Sequence, residues 1–339
     1  MLKVSIMIPA YNHATFIAQA IESSLEQDYP NLEVVVCDDN STDDTAFIIG
    51  TYLKDSRLKI FRNESNLGKH GNYRKLLYEC ATGDWVINLD GDDYFIDSGF
   101  ISSAVLKIGA NPKLVCVQAG FVIKDGNRET TLCPAREDIS GYQYFLRFPK
   151  IRFAHNATLY QRDLACAIDA YRCDIISEDA ETMLRLYLHG DVSLLDVPVA
   201  VWRRHDNSIS MTFLPAEHIR NIDSLTDGVY QYALSLGLSV RTLDTWKRRA
   251  QALLSDTVCL TLLNTERRNS ADISRAVGEF NQYLWANRRH VFSNPRFLCD
   301  FLMYTCLGPD SFKVFYRVCT ESAGVKIIKD LYQRVRRMA

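Results

Sequence analysis

The sequence predicts an α/β protein with a mostly parallel sheet, helices on both faces of that sheet, and a helical region at the carboxyl end. Two observations lead to this fold class. Strand-like and helix-like segments alternate through residues 3–89, a pattern typical of parallel sheets covered by helices. From about residue 215 strand signals become rare and helical stretches become long. We therefore expect two domains, residues 1–214 and residues 215–339.

The elements of the first domain follow from local patterns. Apolar runs rich in β-branched residues predict strands, and Ile17, Ile21 and Leu25 recur at helical spacing. A further strand is expected to end at a turn at Asp125-Gly126, and the last segment reads as a strand pair or as a strand and a turn. The predicted strands are 3–9, 32–37, 58–61, 85–89, 113–124 and 192–205, and the predicted helices are 16–27, 45–55, 71–80 and 176–190.

Composition excludes some classes of protein. The 339 residues are 47% hydrophobic and 24% charged, which is ordinary for a globular protein. A formal net charge of −2 argues against a nucleic-acid partner, because nucleic-acid binders usually carry a basic surface. The ten cysteines form no Cys-x-x-Cys pair and the chain opens without a secretory signal pattern, so we expect reduced thiols and a cytoplasmic location.

The carboxyl-terminal tail is basic. From Lys313 onward it has seven Lys and Arg residues against two acids, and Ile328, Leu331 and Val335 belong to an apolar stripe at helical spacing. Two interpretations stay open. The tail is either a peripheral anchor on an anionic membrane or a terminal helix that docks on the protein.

Two acidic clusters follow predicted strands. Asp90, Asp92 and Asp93 come directly after the strand at 85–89, and Asp39 follows the strand at 32–37. Ligands of parallel sheets bind beyond the carboxyl ends of the strands, so both clusters fall at the expected binding edge. Carboxylates at this spacing can bind Mg²⁺ or Mn²⁺ together with substrate phosphates. The alternative for a lone acidic triplet is a turn or a helix cap.

Four motifs in order carry a family resemblance. The stretch "VSIMIPAYNHATFIAQAIESSLEQDYPNLEVVVCDDNSTDDT" is followed by "NLGKHGN", "LDGDD" and "SED". Together they resemble the family 2 glycosyltransferases of GT-A fold, over roughly residues 1–210. This resemblance implies a Rossmann-like GT-A domain, a nucleotide-sugar donor, and Mn²⁺ or Mg²⁺ as cofactor.

The resemblance also implies roles for individual residues. On the donor side, Pro9, Ala10 and Tyr11 line the nucleotide base, and Asp39 binds the base or ribose. Asn66, Gly68 and Lys69 lie near the ribose and phosphates. Asp90 and Gly91 belong to the donor-binding turn. Lys69 and Arg74 both remain candidates for the phosphate contact. Asp92 and Asp93 are the expected metal ligands, with His205 as a further ligand.

The remaining expectations concern catalysis. Asp179 is the first candidate for the general base and Glu178 the second, both in the "SED" motif. The pyrophosphate could be held by Arg203 or Arg204, or by His205 as the alternative to its role as a metal ligand. His155 could face the acceptor.

The function implied by the resemblance is inverting transfer of a sugar, from a UDP-sugar or another nucleotide-activated donor, in bacterial surface polysaccharide biosynthesis. The acceptor would be a glycan or a lipid-linked oligosaccharide at the inner face of the plasma membrane. Processive synthases of the family carry Gln-x-x-Arg-Trp and membrane spans, whereas this chain has "WRRH" and no apolar run near the ~20 residues that a span needs. We therefore expect a non-processive enzyme that adds a single sugar. Two alternatives are kept: a nucleotidyltransferase, and a non-catalytic scaffold that binds nucleotide or glycan.

Overall fold

The computed structural model describes residues 1–151, 153–205 and 215–264. Contacts divide the chain into two compact units, Met1–Thr212 and Phe213–Ala339. The domain boundary at 214/215 stays a prediction, because the residues just before it lie outside the described ones. The basic tail also lies outside them. None of the helices in the described ranges is long and apolar enough to cross a membrane.

One sheet of ten strands runs through the described part of the first unit. Its first four strands lie in the parallel order β3–β2–β1–β4, namely β1 (Val4–Ala10), β2 (Leu32–Asp38), β3 (Leu58–Arg62) and β4 (Trp85–Asn88). The others are β5 (Tyr94–Phe95), β6 (Leu114–Asp125), β7 (Arg128–Leu132), β8 (Glu137–Ser140), β9 (Thr158–Gln161) and β10 (Asp191–Arg204). Strand β9 is antiparallel to both β4 and β6, and β10 runs parallel to β6.

Seven α-helices accompany these strands in the described part of the first unit. They are α1 (Ile17–Leu25), α2 (Thr45–Gly50), α3 (Gly68–Lys75), α4 (Phe100–Ala110), α5 (Gly141–Arg147), α6 (Arg162–Ala167) and α7 (Glu178–Leu186). A π-helical turn, Leu76–Cys80, extends α3, and short 3₁₀ turns cover His155–Ala157 and Tyr187–His189. In the second unit the described residues form two helices, Pro215–Ser235 and Val240–Asn264.

Both faces of the central strands are covered. Every residue of β1 and β2 is buried. Ile6 and Val34 belong to the apolar cluster that also contains Ile21 of α1, whereas Met7 and Val35 alternate to the opposite face and are equally buried. Strand β1 contacts α1, α3 and the π-helical turn. This double burial explains why the strands read as continuous apolar runs.

The predicted α/β fold class is confirmed, and so is the parallel alternation of the first four strands with α1–α3. The later part of the sheet is mixed rather than parallel, because β5, β7, β8 and β9 pair antiparallel with their neighbours. The expected turn at Asp125-Gly126 joins β6 to β7. Residues 192–205 do not form a strand pair: β10 is one strand whose pairing with β6 is irregular around Pro198.

A buried carboxylate joins three strands at the edge away from the acidic turns. Glu33 of β2 is 3% exposed and accepts hydrogen bonds from Ser5 Oγ at 2.5 Å and from the Thr82 backbone N–H at 2.7 Å. The ammonium groups of Lys3 and Lys59 each lie 2.7 Å from its Oε2. Burial would raise the pKa of Glu33, but these partners lower it to about 2. The ionised form therefore contributes to stability at neutral pH.

We expect Glu33→Gln to lower the free energy of unfolding at pH 7 by about 2–3 kcal/mol, because both lysines lose their buried counter-charge. The ordinary pKa of about 4.5 falls to about 2 on folding, so the wild-type advantage is complete above pH 4.5 and disappears as the pH falls through 2. Urea unfolding followed by circular dichroism at several pH values measures both effects. Equal unfolding free energies at pH 7 would contradict the assignment.

Candidate active site

The loops that follow β1, β2 and β4 meet at one edge of the sheet, because these strands are parallel neighbours. The Asp39 N–H donates to the Ala10 carbonyl at 2.8 Å, and the Gly91 N–H donates to the Pro9 carbonyl at 3.1 Å. A Cβ atom at Gly91 would lie 2.5 Å from His13 Nδ1 and 3.0 Å from the Pro9 oxygen. A residue with a Cβ atom at this position would force the His13 side chain to move where the acidic turn passes over the end of β1.

The acidic turn points its last carboxylate inward. The Asp93 N–H donates to the Asp90 carbonyl at 2.9 Å, and the Asp93 side chain is buried. Its Oδ1 accepts from the Arg203 backbone N–H and its Oδ2 from Asn156 Nδ2, both at 2.9 Å. Burial and the charges of Asp92 and Asp90 raise the pKa of Asp93 well above its usual value. Asp93 thus joins the turn to β10 and to the segment before β9.

Asp92 points to the other side of the turn and meets His205. The distance from Asp92 Oδ2 to His205 Nε2 is 2.9 Å. The His205 ring stacks on Phe16, with ring centroids 4.8 Å apart. This brings together two of the three predicted metal ligands, although 113 residues separate them in the chain.

Arg203 holds the same turn from the end of β10. Its Nη1 donates to the Asp92 carbonyl at 2.6 Å, its Nη2 donates to Gln19 of α1, and its guanidinium lies 4.2 Å from the Tyr94 ring centroid. Because its guanidinium already contacts these protein groups, the geometry favours a structural role for Arg203 over the expected role in holding a pyrophosphate. Arg204, the other candidate, lies over the Trp202 ring at 4.5 Å.

Asp90 lies between an aromatic hydroxyl and an imidazole. Its Oδ1 accepts a hydrogen bond from the Tyr73 hydroxyl, and its Oδ2 lies 3.1 Å from His155 Nε2. Burial would raise the pKa of Asp90, but the charge and hydrogen bond of His155 hold it below its usual value. The contacts with the carboxylates also shift the pKa of the imidazole. Burial would lower the pKa of His155, but Asp90 and Asp179 raise it well above its usual value.

The two candidate bases differ in accessibility. Glu178 is 1% exposed and is enclosed by Lys69 Nζ at 3.3 Å and His70 Nδ1 at 2.9 Å. Asp179 is 28% exposed, and its Oδ2 lies 3.5 Å from His155 Nδ1. Burial would raise the pKa of Asp179, but contact with His155 and the charge of Lys69 hold it below its usual value. The geometry therefore favours Asp179 over Glu178 as a base that a substrate can reach.

The residues expected near the nucleotide fall into two groups. Pro9 and Ala10 are buried at the end of β1, while the Tyr11 ring beyond them is 43% exposed. Asp39 is 2% exposed, and its Oδ1 accepts from Asn63 Nδ2 at 2.6 Å and from the Leu67 N–H at 2.8 Å. Tyr11 is thus available to a ligand, whereas Asp39 anchors the loop that leads to α3.

The start of α3 places Lys69 and not Arg74 at the site. Asn66 Oδ1 accepts from the Gly68 N–H at 2.8 Å, and Gly68 has a φ of +74°, which a glycine adopts without strain. Lys69 Nζ reaches the Ile176 carbonyl and Glu178 in front of α7. Arg74 instead pairs with Asp169 at 2.9 Å.

Several residues of the site were not predicted from the sequence: Phe16, Gln19, His70, Tyr73 and Asn156. They belong to no acidic motif, and their roles arise from long-range contacts. The signal that could have found His70 and Tyr73 is their place in the helix that follows "NLG": His70 is the next residue after Lys69, and Tyr73 is one turn further on.

Oxygen and imidazole side chains around the turn fit a divalent ion such as Mn²⁺. Two groups offer them. Ligand atoms of Asp90, Asp93 and His155 all lie within 4.8 Å of one another, but the Asp90 and Asp93 oxygens already accept protein hydrogen bonds. In the second group, Asp92 Oδ2 also has a protein partner, His205 Nε2 at 2.9 Å, but no described residue donates a hydrogen bond to Asp92 Oδ1. This remaining carboxylate oxygen makes the second pair better suited to an ion that a ligand shares.

A family model matches the part of the chain that contains the acidic turn. The family model described as Glycosyl transferase family 2 matches residues 5–177, about half of the chain. The chain belongs to glycosyl transferase family 2. The match includes the acidic turn and ends one residue before Glu178. The predicted family is thereby confirmed.

Two of the curated proteins similar to this chain are named as glucosyltransferases with undecaprenol-linked substrates. The chain is 43% identical over 93 residues to an Escherichia coli UDP-Glc:alpha-D-GlcNAc-diphosphoundecaprenol beta-1,3-glucosyltransferase, WfaP, covering 27% of this chain and 36% of that protein. It is 37% identical over 130 residues to a Campylobacter jejuni GalNAc(5)-diNAcBac-PP-undecaprenol beta-1,3-glucosyltransferase, covering 38% and 41%. With a Mycobacterium tuberculosis protein it shares 29% identity over 216 residues, and it spans about 60% of that protein's length.

Solved structures share the fold. Staphylococcus aureus TarS 1–349 in complex with UDP-GlcNAc matches with a TM-score of 0.64 at 18% identity, covering 98% of this chain and 92% of that one. The Pyrobaculum calidifontis mannosyltransferase PcManGT, in complex with GDP-Man and Mn²⁺, matches with a TM-score of 0.53 at 19% identity, covering 86% and 83%. The predicted GT-A fold is thereby confirmed.

Proposed function

We propose that this family 2 glycosyltransferase is an inverting, metal-dependent enzyme that moves a sugar from a UDP-sugar to a hydroxyl of a glycan or lipid-linked oligosaccharide, in surface polysaccharide biosynthesis. One observation carries the proposal. The accessible carboxylate of Asp179 lies beside the acidic turn and is connected to Asp90 through His155, at 3.5 and 3.1 Å. A base and a donor-binding turn in one site are what an inverting transfer requires.

Asp179 would act as general base. Its pKa is held below its usual value, so the carboxylate is ionised at neutral pH. It accepts the proton of the acceptor hydroxyl while that oxygen forms a bond to the anomeric carbon. On the opposite face the bond from that carbon to the diphosphate oxygen breaks, and the diphosphate leaves with the electron pair. Attack opposite the leaving group inverts the anomeric configuration.

Asp92 and His205 would hold the Mn²⁺ or Mg²⁺ ion, which when bound neutralises charge on the diphosphate. Asp93 and Arg203 would keep the turn in place, since both Asp93 oxygens and the Arg203 guanidinium are occupied by protein partners. The predicted role of Asp93 as a direct ligand is thus replaced in this proposal by a supporting role.

The donor side is proposed from the exposed groups. The Tyr11 ring would stack on the nucleotide base, and Lys69 would lie near the phosphates beside Asn66 and Gly68. A uridine nucleotide is supported by the UDP-Glc in the name of the Escherichia coli relative and by the UDP-GlcNAc bound to TarS. The undecaprenol-linked acceptors in two relatives' names support a lipid-linked acceptor.

A lipid-linked acceptor would bring the reaction to the inner face of the plasma membrane, with the protein otherwise cytoplasmic. The basic tail after Lys313 is our candidate for the peripheral membrane contact. That contact stays a prediction, since the tail lies outside the described residues.

The test is turnover with a panel of UDP-, GDP- and dTDP-sugars, in Mn²⁺ and in EDTA. We expect one UDP-sugar to release UDP in Mn²⁺, faster when undecaprenyl-diphosphate-linked sugars are added, and no release in EDTA. Proton NMR of the product gives the anomeric configuration, which we expect to be inverted. Pyrophosphate release would instead indicate a nucleotidyltransferase, and UDP binding without turnover of any donor would indicate a scaffold.

A further inference from the structure

His155 occupies the space between the two carboxylates to which the proposed reaction assigns different tasks. It is part of the short 3₁₀ turn before β9, and its side chain is 15% exposed. Its Nε2 lies 3.1 Å from Asp90 Oδ2 in the acidic turn, and its Nδ1 lies 3.5 Å from Asp179 Oδ2 at the start of α7. The Tyr73 ring meets the imidazole edge-on, with centroids 5.9 Å apart.

The two contacts of the imidazole are unequal. The Nε2 contact is a hydrogen bond, whereas the Nδ1 contact is longer and leaves Nδ1 without a full hydrogen bond. Among the described residues, His155 is the only basic side chain within 4.0 Å of the Asp179 carboxylate. Asn156, the next residue, donates to Asp93 of the same acidic turn, so the backbone at this point is fixed to the turn.

In this arrangement the fixed imidazole of His155 can position the carboxylate of Asp179, and not the reverse. The imidazole is held at Asp90 by a hydrogen bond and by a backbone that Asn156 anchors, and it presents Nδ1 to Asp179. Asp179 lies in the first turn of α7 and is partly exposed, so without Nδ1 its carboxylate could rotate away from the substrate. Misplacing a catalytic group by about 1 Å can lower a rate by about 100-fold.

We propose that His155 is a positioning residue that orients the Asp179 carboxylate toward the acceptor hydroxyl and sets its separation from the acidic turn. This inference rests on the proposed function, in which Asp179 is the base. It replaces the expectation that His155 itself faces the acceptor.

Two conservative variants separate the two nitrogens. In His155→Asn the amide overlaps the Nδ1 position and keeps a donor toward Asp179, whereas in His155→Gln it overlaps the Nε2 position and keeps a donor toward Asp90. We expect His155→Gln to lower kcat by about 100-fold and His155→Asn to retain kcat within about tenfold of wild type. The Kd of UDP in Mn²⁺, measured by calorimetry, should stay within about threefold for both.

The double variant His155→Gln with Asp179→Asn tests whether His155 acts through Asp179. We expect it to be no slower than Asp179→Asn alone, because a base that is already lost cannot be misplaced. Equal kcat values for the two His155 variants, multiplicative losses in the double variant, or loss of the native melting transition in both single variants would overturn the proposal. Failure of the proposed function looks different, since wild type itself would then transfer no sugar.

Discussion

Replacing Asp179 by asparagine should lower kcat for sugar transfer by about 10³–10⁴-fold, because the amide cannot accept the proton of the acceptor hydroxyl. The side chain keeps nearly the same shape, so the Kd of UDP in Mn²⁺ should stay within about threefold. Steady-state UDP release and isothermal titration calorimetry measure the two quantities. A combined loss of kcat and of UDP binding would contradict the role of a base, because it would indicate collapse of the site.

Glu178→Gln is the matched control for Asp179→Asn, because both variants replace a carboxylate by the corresponding amide. Glu178 is enclosed by Lys69 and His70 and is 1% exposed, so the substrate hydroxyl cannot reach it without rearrangement. We expect a loss of kcat well below that of Asp179→Asn, together with a lower melting temperature. If Glu178→Gln were the slower enzyme at full stability, the base would be Glu178, the second candidate from the sequence.

Asp92→Asn should abolish the Mn²⁺-dependent part of UDP binding. Asp92 and His205 are the proposed metal ligands and lie 2.9 Å apart, and changes even to groups that only orient metal ligands cost about 10–100-fold in metal affinity. We therefore expect the Kd of Mn²⁺ to rise by at least about 100-fold, as followed by the electron paramagnetic resonance signal of free Mn²⁺. UDP binding in EDTA should be unchanged.

The control for Asp92 is Asp163→Asn, which removes a carboxylate that is 89% exposed and lies away from the turn. It should leave the Kd of Mn²⁺ unchanged.

Asp93→Asn adds a second comparison. If Asp93 supports the turn, the amide should lower the melting temperature as well as metal affinity. An Asp92→Asn protein that binds Mn²⁺ like wild type would move the metal to the group of Asp90, Asp93 and His155.

The sequence was informative where structure depends on near neighbours. Strands β1–β4 and helices α1–α3 alternate along the chain from Val4 to Asn88, and their apolar periods predict parallel pairing without knowledge of the rest. The position of the acidic residues after β2 and β4 also follows from local pattern. Asp90, Asp92, Asp39 and Tyr11 could therefore be placed at one edge of the sheet in advance.

The later strands and most of the site contacts depend on pairs of residues far apart in the chain, which local sequence patterns do not predict. Strand β9 has four residues, too few for a clear period, yet it lies between β4 and β6. Its insertion brings His155 and Asn156 to the acidic turn, 65 and 63 residues from their partners. The choice between Lys69 and Arg74 was open for the same reason, because the Arg74 partner, Asp169, is 95 residues away.

The contact between Asp93 and Arg203 spans 110 residues, and it has a consequence for synthesis of the chain. While the ribosome has delivered only β1–β4, the acidic turn lacks the contacts with His155, Arg203 and His205 that it has in the folded protein. Its three carboxylates then repel one another more strongly than in the complete domain. In the proposed metal site His205 follows β10, so that site would be complete only after β10 has joined the sheet. Mn²⁺ binding at the proposed site would then report that β10 has reached its native place beside β6.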